Sequence, residues 1–301
     1  MDLDSSGRAR ALEPPSTSVQ NALTISTLTD VPRIVIESEE AGVQLNLGDL
    51  WAYRELLYFL TLRDIKVRYK QTLMGAAWVV IQPLMTMLIF TLVFNKFARL
   101  DTKDIPYPLF AYSGLLLWTF FSTAVTTGTN SLTNNSHLVT KVYFPRVFIP
   151  AAAVGAGLVD LAIASLLLIA LAIYYGVSPS WGALLLPLFV LLAAILAMGT
   201  GMLVSALTVK YRDLRHALPF IMQFWMFASP VIYPTNLVPE PWRWILVANP
   251  MTGILEGFRA GLTGQAFDWT VIAISAATAT ILLVVAFYVF RGLEDTFADV
   301  I

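Results

Sequence analysis

The side chains that usually carry acid–base or metal chemistry are few in this sequence and lie far apart. Its 301 residues include no cysteine and two histidines, His137 and His216, on separate predicted loops. Catalysis at a membrane edge by metal binding or proton transfer needs clustered acids or histidines, whereas the acidic residues here are scattered. The sequence also lacks the G-x-x-x-x-G-K-S/T loop that holds nucleotide phosphates. We therefore predict no catalytic residue, no metal site and no cofactor bound by this chain.

The chemistry that the sequence does offer is positive charge beside an apolar segment. Residues 51–70 carry five basic side chains, and nothing ionisable occurs between Gln71 and Asn95. A segment of about 20 apolar residues crosses the roughly 30 Å hydrocarbon core of a membrane. Basic residues next to such a span favour the cytoplasmic side. The pattern predicts a cytoplasmic amphipathic helix over residues 49–70 that leads into the first span.

This helix has a second apolar row, Leu56, Leu60 and Val67, which needs a surface to pack on. One interpretation is a helix that docks a partner, and the alternative is a solvated helix with basic anchors. Residues 1–45, before the helix, contain many Ser, Thr and Pro residues and few large apolar ones. They are predicted to form a disordered or partly ordered cytosolic extension, in which Val31–Ile36 could form one short strand.

Composition places the rest of the chain in a membrane. Hydrophobic residues make up 57% and charged residues 13%, whereas about 25% charged residues is usual for a soluble domain. The net charge of −1 gives no indication of nucleic-acid binding. We expect residues 46–301 to form an all-α integral membrane domain with six spans, at about 73–94, 108–130, 147–175, 184–209, 217–233 and 269–290. Lys and Arg are more frequent in the loops on one side of these spans, which predicts that both termini are cytoplasmic.

Residues 234–268 are the least span-like part of this region. Pro241 at a first-turn position can open a short helix, Trp242–Val247. Asn249 and Pro250 then break it and cap a second helix, which Gly261 ends. Neither helix is long enough to cross, so we predict a re-entrant pair on the outer face between the fifth and sixth spans, a backbone tolerated where protein or a water-filled cavity surrounds it.

One ionisable residue, Asp160, lies deep inside a predicted span. A charge at mid-bilayer costs about 2.5–3.5 kcal/mol on insertion scales, so such residues usually face the interior of the helix bundle. One interpretation is a polar contact in a channel, or a contact between helices that changes during function. The alternatives are a protonated side chain or a static hydrogen bond to the intramembrane polar residues Gln82 or Gln223.

Four segments in a fixed order carry a family resemblance: YRELLYFLTLRDIKVRYKQTLMGAAWVVIQPL (53–84), LVTKVYFPRVFIP (138–150), KYRDLRHALPF (210–220) and NPMTGILEGFR (249–259). They resemble the membrane subunit of ABC-2 exporters, in particular those for polysaccharides and lipid-linked glycans such as O-antigen. The resemblance implies a homodimer in the bacterial cytoplasmic membrane whose spans enclose a channel for a lipid-linked sugar chain. It also implies two separate ATP-binding cassette subunits, on which ATP and Mg bind.

The resemblance further implies that the loop between the second and third spans couples to the ATPase. The predicted coupling residues are His137, Leu138, Val139, Lys141, Tyr143, Phe144 and Arg146. The apolar members would be exposed without a partner, and each could contribute about 1.5–3 kcal/mol when buried on one. The alternative is that the aromatic residues return to the bilayer surface as anchors.

Three further sets of residues receive roles by the same resemblance. Aromatic rings that could stack on sugars in the channel are Trp78, Phe90, Trp118, Phe121, Phe224 and Trp225. Basic residues that could guide a lipid pyrophosphate into a lateral opening between the first and fifth spans are Arg63, Lys66, Arg68 and Lys70. An outer gate would comprise Trp242, Trp244, Asn249, Pro250, Glu256 and Arg259, with Glu256 and Arg259 paired on one helical face.

Each of these sets has a simpler explanation. Aromatic residues in membrane helices commonly face lipid or pack in the core, and those of the outer pair could form an interfacial belt. Other functions also stay open: an ABC-2 exporter of teichoic acid, capsular glycan, a drug or a lipid, or a membrane-embedded polyprenyl-phosphate transferase.

Overall fold

The computed structural model describes residues 51, 53–70, 75, 77–97, 105–142, 144–178 and 180–300. Within these ranges the chain is helical and contains no strand. The N-terminal extension with its predicted strand Val31–Ile36, and Tyr143 of the coupling set, lie outside the described residues. For the part of the chain that is described, the predicted all-α fold is confirmed.

Ten α-helices follow one another in the described residues. They are α1 (Arg54–Lys70), α2 (Ala77–Phe90), α3 (Tyr107–Asn134), α4 (Ser136–Lys141), α5 (Phe148–Tyr174), α6 (Leu186–Lys210), α7 (Leu214–Ala228), α8 (Arg243–Ala248), α9 (Pro250–Thr263) and α10 (Trp269–Val300). A π-helix, Thr91–Phe97, extends α2, and a 3₁₀ turn, Trp181–Leu185, precedes α6.

Five helical segments in the described residues are long and apolar enough to cross a membrane. They are Ala77–Phe94, Tyr107–Asn134, Phe148–Tyr174, Trp181–Lys210 and Trp269–Glu294. They correspond to the predicted first, second, third, fourth and sixth spans, and each has at least 18 residues. The chain is therefore a multi-pass membrane protein.

The predicted fifth span, 217–233, differs from the helix that forms there. α7 has 15 residues, which is about 22 Å at 1.5 Å per residue, less than the roughly 30 Å of a hydrocarbon core. Ser229 follows α7 with extended backbone angles, φ −107° and ψ 148°. A following proline favours that conformation, and residue 230 is Pro230. The helix therefore ends before the predicted boundary.

The second span, α3, lies at the centre of the bundle. In its most apolar 18-residue stretch 78% of residues are buried, compared with 11% in Ala77–Phe94. α3 packs against α5 and α6, and α6 also packs against α10. The first span is instead a peripheral helix, whose outward side chains are large and apolar.

Helix α1, which the sequence predicts to be amphipathic, packs beside α5 rather than standing apart from the bundle. Leu60 is buried and Leu56 packs against the same cluster. Thr61 contacts Gly155 so closely that a Cβ there would lie 3.1 Å from the threonine Oγ1. The second apolar row of α1 therefore has its surface within the chain for Leu56 and Leu60, while Val67 is exposed. The expectation that this row needs another protein is wrong for those two leucines.

A second hydrophobic cluster joins the helix ends on the side predicted to be cytoplasmic. Its fully or nearly buried members come from α1, α3, the 139–149 segment, α5, α6 and α10: Leu60, Leu132, Val139, Phe144, Val147, Phe148, Ile149, Ala152, Met202, Ala206, Val209, Ala286, Phe290 and Phe297. Burial of this cluster fixes the coupling segment to the ends of the spans, because apolar contact area opposes its release into water.

The two short helices of the predicted re-entrant pair form as α8 and α9. Asn249 caps α9 by accepting a hydrogen bond from the Met251 N–H at 3.1 Å, which confirms the predicted start. The predicted end at Gly261 is wrong, since α9 continues to Thr263 and ends at Gly264 in the left-handed region, φ 74°. Gly261 lies inside the helix because Gly182 approaches it: a Cβ at Gly261 would lie 2.9 Å from the Gly182 carbonyl oxygen.

Candidate functional site

One face of α3 is left open by the other helices, and it is polar. From residue 119 to 133, the seven side chains that retain exposure are all Ser, Thr or Asn, whereas every apolar residue is buried. They are Thr119, Ser122, Thr123, Thr126, Thr127, Asn130 and Thr133. Their spacing of three and four residues places them on one helical face. A polar face on a membrane helix is expected to border a water-filled space or another protein surface rather than lipid.

A cavity of about 320 Å³ lies against this face. Thr119, Thr123 and Thr127 of α3 line it together with Trp78 and Gln82 of α2. Two residues predicted for different roles, a channel aromatic and an intramembrane amide, therefore border the same space. The cavity combines hydroxyl groups, an amide and an indole ring, which are groups that can bind a polar, hydroxylated molecule.

Asp160 of α5 lies at one end of the cavity, and its partners come from α1. Its carboxylate accepts hydrogen bonds from the guanidinium of Arg68 and from the hydroxyl of Tyr69. The predicted alternatives, Gln82 and Gln223, are not its partners. Gln82 lines the cavity, and Gln223 is exposed on α7. Arg68 was predicted as one of four equivalent anion-guiding residues, but its charge is compensated by Asp160.

The depth of this pair follows from the length of α5. Its 27 residues extend about 40 Å, whereas the hydrocarbon core measures about 30 Å. Tyr174 at one end is 79% exposed, as expected for an aromatic anchor at the interface. With Tyr174 taken as one edge of the core, about 20 residues cross to the other edge, which places Asp160 roughly 9 Å inside that second edge. An ion pair at that depth is less costly than a lone carboxylate.

The other three residues of the predicted guidance set lie on a different face of α1. Arg63, Lys66 and Lys70 line a groove of about 460 Å³ with Phe59, Leu62 and Val67. Arg63 donates to the neighbouring Asp64 at 2.8 Å. Lys66 and Lys70 are exposed. The predicted guidance set is therefore divided between the cavity, through Arg68, and this groove.

The predicted channel aromatics also separate into two groups. Trp118 is 5% exposed, Phe121 is fully buried, and their rings contact Trp225 of α7 with the Phe121 and Trp225 centroids 5.1 Å apart. A side chain that lines a channel between subunits must be exposed in one chain, so the channel prediction is wrong for Trp118 and Phe121. Trp78 and Phe224 are 55% and 70% exposed, and Phe90 is partly buried beside Phe94.

In the predicted coupling segment, α4 turns its apolar side inward. Val139 and Phe144 are 3% and 6% exposed in the predicted cytoplasmic cluster, so the expectation that they project into water is wrong. Leu138 also packs against that cluster. The exposed side chains are His137, Thr140, Lys141 and Val142.

Arg146 ties this segment to α10. Its guanidinium donates to the backbone oxygen of Glu294, and its N–H lies 3.3 Å from the Glu294 carboxylate. Arg146 therefore has a partner within the chain. Glu294 also pairs with Arg291 at 3.3 Å, which makes a small charged network at this end of α10.

Beside α4 lies a basic cleft that the sequence analysis did not predict. It measures about 370 Å³ and is lined by Thr133, Ser136, Thr208, Val209, Arg212, Arg215 and His216. Arg215 donates to the hydroxyl of Thr133 at 2.8 Å, which joins the start of α7 to the end of α3. The cleft brings together the two loops that carry the two histidines of the chain.

At the opposite end of α7, the side chain of Asn249 makes several hydrogen bonds between α7 and α9. Its amide oxygen accepts from Trp225 Nε1 at 3.0 Å in addition to its capping bond. Its amide nitrogen donates to Ser229 Oγ at 2.8 Å and to the carbonyl of Ala228 at 3.2 Å. The start of α9 is therefore held to the end of α7.

Arg259 of α9 is the most deeply buried cation among the described residues. It is 5% exposed and donates to the carbonyls of Pro230 and Val231, both at 2.6 Å, and of Phe110 at 3.2 Å. Its guanidinium also lies 3.7 Å from the centre of the Phe110 ring. Burial lowers the pKa of Arg259 to about 9, against the opposing effects of Glu256 and Tyr107, so it remains charged at neutral pH.

The predicted ion pair between Glu256 and Arg259 does not form. Glu256 accepts a hydrogen bond from the hydroxyl of Thr235, and Arg259 uses backbone carbonyls instead. Trp242 and Trp244 of the predicted gate are exposed, whereas Asn249 and Pro250 are partly buried. Of the six predicted gate residues, Asn249, Glu256 and Arg259 therefore hold α9 in position through hydrogen bonds.

Residues 55–263 match the sequence model of the family described as "ABC-2 type transporter". The chain belongs to this family. It is 31% identical over 255 residues to the "O-antigen export system permease protein RfbA" of Myxococcus xanthus, covering 83% of this chain and 97% of that protein. A Klebsiella pneumoniae protein of the same name is 29% identical over 264 residues, covering 86% and 98%. The "Polysialic acid transport protein KpsM" of Escherichia coli is 24% identical over 198 residues, covering 65% and 77%.

The predicted family is therefore confirmed, and the relatives are named as permease or transport proteins. The ABC-2 match extends from α1 to the end of α9, so it includes Asp160, the polar face of α3, the basic cleft and Arg259. A membrane subunit of an ABC transporter works with an ATPase. No group of three or more His, Asp or Glu side chains that could hold a metal occurs in the described part of this ABC-2 chain.

The polar face of α3 is the functional feature that sequence reasoning missed although its signal was present. Nine of the fifteen residues from Thr119 to Thr133 are Ser, Thr or Asn, and all of them except Thr129 and Ser131 recur at intervals of one, three or four residues on one helical face. That periodicity could have identified the open face. The carbonyl partners of Arg259 had no comparable signal, because they are backbone groups distant in sequence.

Proposed function

We propose that this chain is the permease subunit of an ABC exporter that moves a lipid-linked polysaccharide such as O-antigen outward across the cytoplasmic membrane. The alignment with the O-antigen export permeases over 97–98% of their length supports this assignment. The structural observation that carries it is the polar face of α3. In a chain with 57% hydrophobic residues, seven hydroxyl and amide side chains remain exposed on one helical face. A hydrated substrate that passes this face explains their exposure.

The conduit forms between two copies of the chain. α2 exposes apolar residues such as Leu88 and Ile89, and α7 exposes Phe220 and Phe224, so both helices have free surface on either side of the polar face. Six spans leave little room for a hydrated glycan, whereas twelve around a twofold axis can enclose one. The polar faces of the two α3 helices then line the passage.

The fifth span of each copy is α7 with the segment that follows it. Val231 and Ile232 after α7 are buried, which extends the apolar path beyond the short helix. α8 and α9 then return into the outer half as a re-entrant pair, because α9 packs against α3, α6 and α10. Both termini lie in the cytoplasm, where the basic residues of α1 and of the 210–216 loop face anionic lipid.

The lipid pyrophosphate enters along α1. Lys66 and Lys70 are exposed in the groove that also contains Arg63, and basic residues near a membrane surface attract phosphates at about 1 kcal/mol each. Arg68 stands at the cavity with Asp160, so an anion that competes with the carboxylate can loosen α1 from α5. Trp78 and Phe224 are the exposed aromatics that remain available to the sugar.

The ATPase, which binds ATP and Mg, docks on the exposed side of the coupling segment. His137, Lys141 and Val142 project outward from the buried base formed by Val139 and Phe144. The adjacent basic cleft with Arg212, Arg215 and His216 offers positive charge to acidic side chains of the motor subunit. The ATPase therefore contacts a rigid surface, and its movement is transmitted to α3, α5 and α7.

Deletion of the gene tests the export function. Lipid-linked glycan should accumulate inside the cell, and the intact gene should restore its appearance at the surface. Normal surface glycan in the deletion strain, or a trapped drug or lipid in place of glycan, would reject the proposal.

A second test addresses the polar face directly. Thr123 and Thr127 replaced by Val should reduce export about tenfold or more, while assembly with the ATPase stays normal. Thr280→Val on α10 is the matched control, because Thr280 is an exposed threonine of another spanning helix. Equal export by the α3 variant and the control would show that the face of α3 does not border the substrate.

A further inference from the structure

A second polar cavity lies at the opposite end of the molecule from the Arg68–Asp160 pair. It measures about 200 Å³ and lies between α9, the 234–236 turn and the start of α10. Its polar lining consists of Thr235, Asn236, Glu256, Arg259, Gln265 and Asp268. None of the predicted roles accounts for Asn236, Gln265 or Asp268.

Arg259 forms part of the cavity wall. It is 5% exposed, and two of its nitrogens donate to the backbone carbonyls of Phe110, Pro230 and Val231. These hydrogen bonds fix the guanidinium in place, so the cavity has a fixed positive charge in its wall.

The charges around the cavity limit what it can bind. Two carboxylates, Glu256 and Asp268, line it and oppose an anion. The fixed cation of Arg259 opposes a metal ion. Asp268 uses one oxygen to cap α10 through the N–H groups of Thr270 and Val271, at 3.1 and 3.2 Å. A neutral molecule whose groups both donate and accept hydrogen bonds suits this mixture best.

Sugar hydroxyls have that property, because each can donate to a carboxylate and accept from a guanidinium or an amide. Phe110, Ile105 and Ile272 supply apolar walls for the C–H faces of a ring. The cavity measures about 200 Å³ and is partly open, so it has room for one sugar ring.

We propose that this outer cavity binds one neutral sugar unit of the glycan as it leaves the conduit. The proposal rests on the proposed export function and adds an exit-side binding site to it. Glu256 and Asp268 accept hydrogen bonds from the hydroxyls of the ring, and Asn236 and Gln265 select among hydroxyl configurations. A sugar unit held in this outer cavity would oppose movement of the glycan back towards the cytoplasm.

The natural absence of cysteine allows the site to be tested in cells. Gln265→Cys is treated with a membrane-impermeant maleimide in cells that make the glycan and in cells whose glycan synthesis is blocked. Labelling should be at least threefold slower when glycan is passing through. Trp181→Cys, at an outer position that is 89% exposed, is the control and should label at one rate in both strains.

Equal labelling of Gln265→Cys in the two strains would overturn the proposal, and labelling in the strain without glycan shows that the variant is folded and reachable. A second measurement uses purified protein in nanodiscs with methyl α-D-mannopyranoside, methyl α-D-glucopyranoside and methyl α-L-rhamnopyranoside as probes. Saturation transfer from the protein should appear for at least one probe, fall tenfold in Glu256→Gln, and persist in Gln223→Ala, which lies outside the cavity.

No transfer to any probe, or displacement by phosphate or Ca²⁺ instead of by a glycoside, would also overturn the sugar assignment. These outcomes are separable from a failure of the export function. If the deletion strain still traps glycan while Gln265→Cys labels equally in both strains, the outer site alone is wrong. If the deletion strain exports normally, the export function fails as well.

Discussion

Arg68 and Arg259 are both removed from bulk water, but the protein compensates their positive charges in different ways. Arg68 pairs with a carboxylate, Asp160, and keeps 26% of its side-chain exposure. Arg259 is 5% exposed and is surrounded by backbone carbonyls and an aromatic ring. The first arrangement is neutral overall, while the second retains a net positive charge.

The difference indicates which site can change during transport. A side-chain ion pair can be exchanged without moving the backbone, when an incoming anion takes the place of the carboxylate and Asp160 becomes protonated or gains another partner. Carbonyl oxygens belong to the backbone of α3 and of the segment after α7, so releasing Arg259 would require those elements to separate. The Arg68 end is therefore suited to a switch, and the Arg259 end to a fixed joint between α3, α7 and α9.

Removal of the fixed joint should have the largest effect. Arg259→Ala leaves three carbonyl oxygens without a donor, and each buried unsatisfied group costs about 1–3 kcal/mol. We expect a loss of about 3 kcal/mol or more in the free energy of unfolding, measured by thermal unfolding in detergent.

The matched control for that variant is Arg243→Ala. Arg243 is exposed and pairs weakly with Glu240 at 3.7 Å, so its removal should cost less than about 0.5 kcal/mol. Arg259→Lys should recover part of the stability, since lysine keeps the charge but lacks the planar fork. Equal stability of the Arg259 and Arg243 alanine variants would refute the fixed joint.

The contacts that hold Arg259 against α3 can be tested at Gly114. A Cβ at Gly114 would overlap both Arg259 Nη2 and the Val231 carbonyl oxygen, so Gly114→Ala should cost about 1–3 kcal/mol through overpacking. Gly292→Ala is the control, because open space surrounds that position. If Gly114→Ala is as stable as Gly292→Ala by thermal unfolding, α3 and α9 are not held together there.

The Arg68–Asp160 pair should show a smaller effect with a different signature. Asp160→Asn leaves the arginine without its counter-charge, and we expect a loss of about 1–2 kcal/mol, reduced from the value for a fully buried pair because of partial exposure. A double-mutant cycle with Arg68→Gln should give a coupling energy of about 1 kcal/mol. Purely additive effects would contradict the contact.

Tyr69 should contribute least to this pair. Tyr69→Phe removes one hydrogen bond to Asp160 and keeps the ring, so the expected loss is about 0.5–1.5 kcal/mol in thermal unfolding. Tyr58→Phe on the exposed face of α1 should change nothing measurable. A larger loss for Tyr69→Phe than for Asp160→Asn would mean that the phenol, rather than the ion pair, joins α1 to α5.

The parts of the fold that sequence reasoning predicted correctly have local causes. The five spans follow from length and composition, and the cap at Asn249 follows from the residue type beside Pro250. α7 was predicted too long because hydrophobicity continues through Val231 and Ile232, although Pro230 already ends the helix. Gly261 resembled a helix end, but it lies inside α9, where the absence of a side chain allows Gly182 to approach.

Contacts between distant segments could not be read in the same way. Asp160 is 92 residues from Arg68, and only the packing of α1 beside α5 brings them together. Val139 and Phe144 were expected to be exposed. A row of apolar residues does not show whether the surface that buries it belongs to the same chain or to another protein. Arg259 has a sequence neighbour of opposite charge, yet its partners are backbone oxygens that no pattern of side chains encodes.

α7 is attached at both ends: Arg215 holds Thr133 near its start, and Asn249 holds Trp225, Ala228 and Ser229 at its finish. A short rod fixed in this way cannot tilt at one end alone. A push of a few ångströms by the motor on the cytoplasmic loop would be delivered across the bilayer to α9 in the same stroke. The outer end of the conduit would then open in step with the ATPase, without a signal from the glycan.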